Sequence, residues 1–432
     1  MEMILVMLVG AVAAVLANRG IAVFNDGLRP IMPEHIEGRM DRRSLALTSL
    51  AMSFGLVLGF GIPISLTASI LLIHSILLGT DIIGLSVPGN RWGTPAAAVI
   101  GGAYGAGLLL GLEGFVRVFE ALPVDLLQPL EQVGAPVVVA FIAFPALAVA
   151  IQFGVGKGVW TFAASAFVRQ LVVWANEQQL FSFGTVTITV NPEGLALVTG
   201  MAFLLVFAMG ESPSEQDGTK MDLTALFSHR VQRIRKNLIS FMVMGGLIAA
   251  STHLLVTAGD PISLQLAAEG KQMEAGLAAA ARALGFLPLV ASTAIATGVY
   301  GPVGFTFIFA VGLLLPQAWL AGVAGAGIMM LEVLLLSRLA RFLDRYPGVR
   351  EAGSNIRTAM TRVLEVALLI GGANAAHAMA PGLGFFLIAG FYVLNEAAGR
   401  PVVRMAVGPI GAIAVGVIAN LLVFAGIMAV PQ

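Results

Sequence analysis

The chain has 432 residues, of which 58% are hydrophobic and only 11% are charged, and its formal net charge is zero. Soluble globular proteins carry about 25% charged residues, so this chain has too few charged groups to cover a surface that faces water. The composition excludes an ordinary soluble domain, and the balanced charge offers no basic surface for nucleic acid.

Cysteine is absent, which excludes disulfides, thiolate metal sites and a cysteine nucleophile. No G-x-x-x-x-G-K-[ST] motif occurs, and the longest polar stretch, residues 211–236, is too short for a nucleotide-binding domain. Neither H-E-x-x-H nor G-x-S-x-G occurs. We therefore expect no enzyme activity, no cofactor and no resident metal.

Apolar blocks long enough to cross a bilayer, at roughly 20 residues per crossing, recur along the whole chain. We predict an all-α polytopic integral membrane protein with about 10–14 membrane segments, some of them broken or re-entrant. The first segment has no positive flank and no A-x-A cleavage site, so we expect it to be retained. In chain order the segments are 3–23, 45–62, 65–87, 95–112, 134–153, 158–175, 194–210, 237–258, 286–299, 302–315, 318–337, 363–379, 382–394 and 403–429.

The positive-inside rule orients this layout. With both termini periplasmic, 20 of the 24 Lys and Arg residues lie on the cytoplasmic side. Because removing a re-entrant pair preserves parity, the rule does not separate 12 spans from 14. We expect a single transmembrane domain over 1–432, with possible halves 1–210 and 237–432 joined by a cytoplasmic loop at 211–236.

Three stretches between the apolar blocks also carry local patterns. Residues 224–236 are typical of a short basic amphipathic helix on the membrane surface. The Ala-rich stretch 265–284 predicts a helix outside the membrane. Residues 181–190 alternate Thr with Val and Ile, which indicates a short strand or an extended re-entrant stretch.

Charged residues inside apolar segments cost about 2.5–3.5 kcal/mol each on insertion scales, so they are candidates for function. Asp26 lies in FNDGLRP, where Gly27 and Pro30 interrupt any helix; it either lines a polar cavity or simply neutralises Arg29. Asn90 and Arg91 lie in a Gly- and Pro-rich turn that opens a helix. Such a turn either binds an anion at a helix N-terminus or is an ordinary cytoplasmic turn.

The stretch PLVASTAIATGVYGPVGFT (288–306) joins small hydroxyl residues to a Gly- and Pro-rich break. Each arm is short for a full crossing, so we predict a re-entrant hairpin with its tip near 297–301. Ser292, Thr293 and Thr297 would then face a polar site. The alternative is close helix packing through small residues.

The last polar cluster is YVLNEAAGRP, with Asn395, Glu396 and Arg400. Glu396 and Arg400 are one helical turn apart, so they either form an i,i+4 ion pair or coordinate a substrate. His74 and His253 stand alone in apolar runs. We interpret both as packed or hydrogen-bonded core residues.

Several runs of the chain resemble the YhfT family of bacterial inner-membrane proteins. The likeness extends nearly from end to end, and it implies a transport protein of the bacterial inner membrane. It supplies neither a substrate nor binding residues. The matching runs are AVFNDGLRPIMPEHIEG (22–38), ALPVDLLQPLEQVGAPVVVAFIAFP (121–145), GFLPLVASTAIATGVYGPVGFTFIFAV (285–311), RYPGVREAGSNIRTAMTRVLEVALLIG (345–371) and YVLNEAAGRPVVRMA (392–406).

The sequence therefore predicts a secondary transporter, expected to be a homodimer in lipid, that moves a small polar or anionic metabolite by alternating access. The alternatives are a channel or passive pore, and the membrane subunit of a multi-component uptake system. The residues expected near the substrate are Ser292, Thr293, Thr297, Asn395, Glu396, Arg400, Asn90, Arg91 and Asp26.

Overall fold

The fold is seen in a computed structural model that describes residues 1–180, 182–183, 186–187, 190–211, 223–301 and 307–431. Within these residues the chain is almost entirely helical, and its strands are only two residues long. The predicted all-α fold is therefore confirmed.

The first half of the chain, up to residue 209, contains ten helices and three short strands among its described residues. The elements are α1 (Glu2–Asn18), α2 (Met32–Ile36), α3 (Arg42–Leu56), a π-helical turn (Val57–Gly61), α4 (Ile62–Ala68), β1 (Leu71–Leu72), α5 (Ile73–Ser86), α6 (Gly93–Glu120), α7 (Leu127–Glu131), α8 (Gly134–Phe153), α9 (Val155–Glu177), β2 (Ser182–Phe183), β3 (Val186–Thr187) and α10 (Pro192–Met209).

The second half begins with a basic helix at the position predicted from the sequence. Its elements are α11 (Leu223–Arg235), α12 (Leu238–His253), β4 (Thr257–Ala258), α13 (Pro261–Ala268), α14 (Gln272–Thr297), α15 (Ile308–Leu314), α16 (Ala318–Arg345), α17 (Pro347–Met379), α18 (Leu383–Ala397) and α19 (Arg404–Phe424).

The outer surface is apolar, as contact with lipid requires. Seven described helices are long and apolar enough to cross a membrane, and five shorter helices are also apolar. Large side chains point outward from them; Trp160 and Phe386 are 76% and 72% exposed. Because water would not tolerate so much exposed apolar surface, the chain is a membrane protein. The seven long helices are Arg42–Leu66, Gly93–Glu120, Val155–Glu177, Pro192–Met209, Ala318–Phe342, Pro347–Met379 and Arg404–Phe424.

Four helices end in the same way, with a residue in the left-handed region followed by an extended segment. The left-handed residues are Gly20 after α1, Ser69 after α4, Leu255 after α12 and Gly298 after α14. At α1 and α12 the chain closes the last turn with the hydrogen-bond pattern of a Schellman motif: the first extended residue donates to a carbonyl five residues back, at 2.9 and 3.0 Å. The motif occupies carbonyls that would otherwise be left unpaired at these helix ends.

The four extended segments pair with one another in two crossings. After α1, the Val23 N–H donates to the Tyr300 carbonyl, and the Tyr300 N–H donates to the Ile21 carbonyl, both at 3.1 Å. After α12, strand β4 pairs in parallel with β1. Each crossing therefore pairs one extended segment from the first half of the chain with one extended segment from the second half.

The helices around these crossings form the first bundle, which comprises α1, α3–α6 and α12–α16. Within it, α1 packs on α5 and α6, and α12 packs in the same way on α15 and α16. Both closest contacts run through glycines: Gly10 of α1 faces Gly101 of α6, and Gly245 of α12 faces Gly325 of α16. Small residues let two backbones approach closely, as is usual for helices in membranes.

The remaining long helices form the second bundle, α8–α10 and α17–α19. Here α8 packs on α9 and α10, α17 packs on α18 and α19, and α8 lies along α17. The second bundle contacts the first through α14, which touches α10 and α17, and through the π-helical turn, which touches α19. The element order of the first half thus recurs in the second, with α1, α5, α6, α8, α9 and α10 matching α12, α15, α16, α17, α18 and α19.

One prediction needs correction at the stretch 265–299. The expected outside helix at 265–284 and the expected membrane segment at 286–299 belong mostly to a single helix, because α14 runs without interruption from residue 272 to residue 297. The break predicted near 297–301 is present at Gly298, but residues 302–306 lie outside the described residues, so the predicted hairpin is not seen as a whole. Pro288 lies within this helix, which ends only at the break after Thr297.

The glycine contact between α1 and α6 predicts an asymmetric response to substitution. A Cβ at Gly101 would overlap the Gly10 carbonyl and lie 2.5 Å from Ala14 Cβ, whereas a Cβ at Gly107 on the same helix meets no atom within 4 Å. We expect Gly101→Ala to lower the free energy of unfolding by about 1–3 kcal/mol, the usual range for overpacking.

The matched control is Gly107→Ala, which should leave stability unchanged or raise it by up to about 1 kcal/mol through helix propensity. Thermal unfolding of both variants in detergent, followed by intrinsic fluorescence, makes the comparison. Equal melting temperatures for the two variants would contradict this packing.

Candidate functional site

A cavity of about 840 Å³, lined by charged side chains within a largely apolar wall, lies where the two bundles meet. The first bundle supplies the loop after α1, α3, α5, the start of α13 and the middle of α14; the second supplies α17 and the first turn of α19. The volume falls in the range usual for small-molecule sites, about 300–1,000 Å³. Because neither bundle encloses it alone, the cavity would change shape if the bundles moved relative to each other.

The loop after α1 is held in place by a buried carboxylate on α5. Asp81 is 3% exposed, and its two oxygens accept hydrogen bonds from the Phe24 N–H at 2.9 and 3.0 Å and from the Asn25 N–H at 2.8 Å. The Asn25 side chain then donates to Ser53 Oγ at 2.9 Å. Asp81 thus satisfies backbone groups that the broken helix leaves free, and it fixes the wall of the cavity.

Arg29 is the most deeply buried cation of this wall. It is 1% exposed and forms an ion pair with Asp26. Its guanidinium group lies against Gly301, where any Cβ would overlap it. Arg29 therefore connects the loop after α1 with the segment after α14, beside the crossing of the two backbones.

A second buried arginine faces the cavity from α14. Arg282 is 7% exposed, and its Nε lies 3.2 Å from Asp260 Oδ2. Asp260 also caps α13, accepting the Ser263 N–H at 2.9 Å. The Arg282 guanidinium lies over two rings, 5.9 Å from the centroid of Phe286 and 5.4 Å from that of Phe309.

The second bundle adds further charges. Arg357 of α17 donates to the Asp26 carbonyl at 3.3 Å, a contact across the bundle boundary. Arg404 at the start of α19 lies 3.9 Å from Glu365 and 2.8 Å from Glu396. Of the charged residues in these contacts, all except Glu396 line the cavity.

Apolar side chains complete the wall. The rings of Phe24 and Phe60 stand edge-on to His74, with centroids 4.9 and 5.2 Å from its ring. Phe286 and Val290 of α14 lie on the same cavity. The site therefore combines cationic groups with an aromatic surface, so it can hold a molecule that has both an ionic and an apolar part. Among the described residues, no cluster of three His, Asp or Glu side chains could hold a metal ion.

Of the nine residues predicted near the substrate, Asp26 lies in the wall of this cavity. The hydroxyls of Thr293 and Thr297 donate instead to carbonyls of their own helix, Val290 at 3.2 Å and Thr293 at 2.7 Å. Ser292 is buried on the same helix. None of these three hydroxyl residues is part of the cavity wall.

The other five predicted residues lie away from the cavity wall, in the turn before α6 and at the corner between α18 and α19. Asn90 accepts the N–H groups of the next turn at 2.9 and 3.1 Å, and Arg91 is exposed beside Trp92. The Asn395 side chain pairs with both backbone groups of Val402, at 2.8 and 2.9 Å. Together with the Glu396–Arg400 ion pair, this contact closes the corner between α18 and α19.

Sequence reasoning did not single out Arg282, Asp260 or Arg357. Arg282 was assigned to a helix outside the membrane because the stretch before it is rich in Ala and contains Glu and Lys. Its position between two runs of Ala and Leu could have indicated a buried residue, because an isolated charge there needs a buried partner. Asp260 lies in a Gly-Asp-Pro turn whose link to Arg282 only the fold establishes.

Comparison with known proteins places the chain in a family. A family model named YhfT and described as a protein of unknown function matches residues 2–428. The chain is 36% identical to the uncharacterized protein YhfT of Escherichia coli strain K12 over 440 residues, which cover 99% of this chain and 98% of the relative. No solved structure matches. The chain therefore belongs to the YhfT family, as its sequence runs indicated.

The hydrogen bonds of Asp81 lead to a stability prediction. Asp81→Asn removes the negative charge that strengthens these hydrogen bonds and turns one acceptor oxygen into an NH2 group, which would face the backbone N–H groups of the loop after α1 as donor against donor. We expect a loss of about 1–3 kcal/mol in the free energy of unfolding.

Asp125→Asn is the matched control, since exposed Asp125 makes the same kind of bond to the Leu127 N–H at 2.9 Å and water can replace it. Thermal unfolding in detergent measures both variants. If the two substitutions had equal effects, Asp81 would not be the residue that holds the loop.

Proposed function

We propose that this protein is a secondary transporter of the bacterial inner membrane that carries a small polar or anionic metabolite by alternating access. The observation that supports this proposal is the cavity between the two bundles, whose wall carries five arginines and three carboxylates inside an otherwise apolar helical protein. Ionisable groups are costly within a membrane and usually face a water-filled pathway.

The repeated order of elements also supports alternating access. Many transporters are built from two structural repeats, and they expose a central site to either side by moving one bundle against the other. The exchange of segments between halves at both crossings fits this arrangement, because each half supplies one partner to each crossing.

The broken helices are consistent with a binding site at the crossings. Irregular backbone at membrane depth is tolerated only where protein or a wet cavity surrounds it. Here the loop after α1 contributes Phe24, Asn25 and Asp26 directly to the cavity. We therefore assign substrate contact to this loop and to Arg282, rather than to the hydroxyl residues of α14.

Two other functions remain as alternatives. A channel or passive pore would use the same cavity as a continuous path. A membrane subunit of a multi-component uptake system would need soluble partners, and their co-purification from native membranes would favour it. We propose no enzymatic reaction for the cavity.

The absence of cysteine from the chain allows a direct test with a single introduced thiol. Thr361 lines the cavity from α17, and its hydroxyl donates to its own helix, at 3.0 Å from the Arg357 carbonyl. We expect Thr361→Cys to react with a membrane-impermeant thiol reagent both in right-side-out vesicles and in inside-out vesicles, because the cavity opens to each side in turn.

Leu421→Cys is the control, since Leu421 is 61% exposed on the outer face of α19 and a thiol in lipid should react from neither side. Recording from planar bilayers separates the carrier from the channel, because only a channel gives unitary current steps. Reaction of Thr361→Cys from one side only, or current steps that thiol modification blocks, would contradict the carrier.

A further inference from the structure

Within the part of the chain that the structure describes, Arg29 and Arg282 each have a guanidinium N–H group that meets no acceptor. Arg29 is 1% exposed and Arg282 is 7% exposed. Among the described residues, the Nε of Arg29 and the Nη2 of Arg282 have no hydrogen-bond acceptor. A buried donor without a partner is destabilising, so two of them in the wall of one cavity point to an acceptor that enters the cavity.

The charge balance of the wall indicates the same kind of ligand. Each of three arginines has a carboxylate within 4 Å: Arg29 has Asp26, Arg282 has Asp260, and Arg404 has Glu365. Two more arginines of the wall, at 357 and 362, form no ion pair with any described residue. The wall therefore favours an anion over a cation.

The surroundings of Arg282 suggest what the rest of the ligand is. Its guanidinium group lies within 6 Å of two ring centroids, Phe286 and Phe309, and Phe24 and Phe60 line the cavity nearby. An inorganic anion would leave these rings in contact with water. An organic anion with an apolar body would cover them while its charged end meets the guanidinium groups.

We propose that the cavity binds a small organic carboxylate, whose oxygens accept hydrogen bonds from Arg29 and Arg282 and whose apolar body packs against Phe24, Phe60 and Phe286. The planar fork of a guanidinium group matches a carboxylate, which makes arginine the suitable residue for this contact. This inference rests on the proposed function, since it names the substrate class of the same site.

The test compares three probes of similar size and different charge. The full-length protein is placed in nanodiscs of phosphatidylcholine alone, so that no anionic lipid headgroup competes, and is titrated calorimetrically. The probes are 3-phenylpropionate, its neutral amide and 3-phenylpropylamine. We expect the carboxylate to bind at least tenfold more tightly than either of the others, because only the carboxylate carries a negative charge and two acceptor oxygens for the two arginines.

Variants locate the binding to the cavity. Arg282→Lys keeps the charge beside Asp260 but removes the fork, and it should weaken 3-phenylpropionate at least tenfold. The pair Arg282→Gln with Asp260→Asn removes both charges together, so it guards against misfolding caused by one unpaired buried charge. Arg117→Gln is the control, since Arg117 is 80% exposed on α6, away from the cavity wall, and it should bind as the parent does.

Equal binding of all three probes, preferential binding of the amine, or an unchanged affinity of Arg282→Lys would overturn the inference. Flux of radiolabelled probes into proteoliposomes separates this inference from the carrier proposal. Binding of the carboxylate without any flux removes the carrier and leaves the ligand class intact. Flux of the amine without flux of the carboxylate removes the ligand class and leaves the carrier intact.

Discussion

The structure depends on how four helices that stop inside the protein satisfy their backbone groups. A hydrocarbon interior offers no water to an unpaired N–H or C=O, and each such group costs several kcal/mol. Here every broken end turns through a left-handed residue and pairs with an extended segment from the other half of the chain. These crossings let the chain leave the helical conformation in its interior, and the loop after α1 that results forms one wall of the cavity.

The buried charged residues near the cavity have two different roles. Asp81 accepts backbone N–H groups of the loop after α1, so its role is to hold the loop in place. Arg29 and Arg282 line the cavity, have one carboxylate each, and keep a guanidinium N–H group without an acceptor among the described residues. A charge that the fold alone required would be fully paired. The difference separates the residues that build the cavity from those that we assign to ligand binding.

The sequence was sufficient for the membrane class and for most helix positions, because apolar blocks and Gly or Pro breaks are local signals. The polar character of Asp26 and its pairing with Arg29 also followed from a local motif. The crossings could not be predicted, since two-residue parallel strands carry no periodicity and their partners are distant in sequence. The same holds for Arg282 and Asp260, whose pairing depends on packing. Residues such as Asn90 and Asn395 were singled out as polar groups in turns, where local hydrogen bonds already use them.

The central proposal is that the two bundles move relative to each other around the cavity. Pulsed electron paramagnetic resonance on the cysteine-free chain tests it, with nitroxide labels at exposed Arg43 of α3 and exposed Ser354 of α17. The account predicts two separate distance populations for this pair. It also predicts one narrow population for labels at Arg43 of α3 and Arg91 in the turn before α6, because α3 and α6 both belong to the first bundle. A single narrow distance for both pairs, in membranes and with or without 3-phenylpropionate, would contradict it.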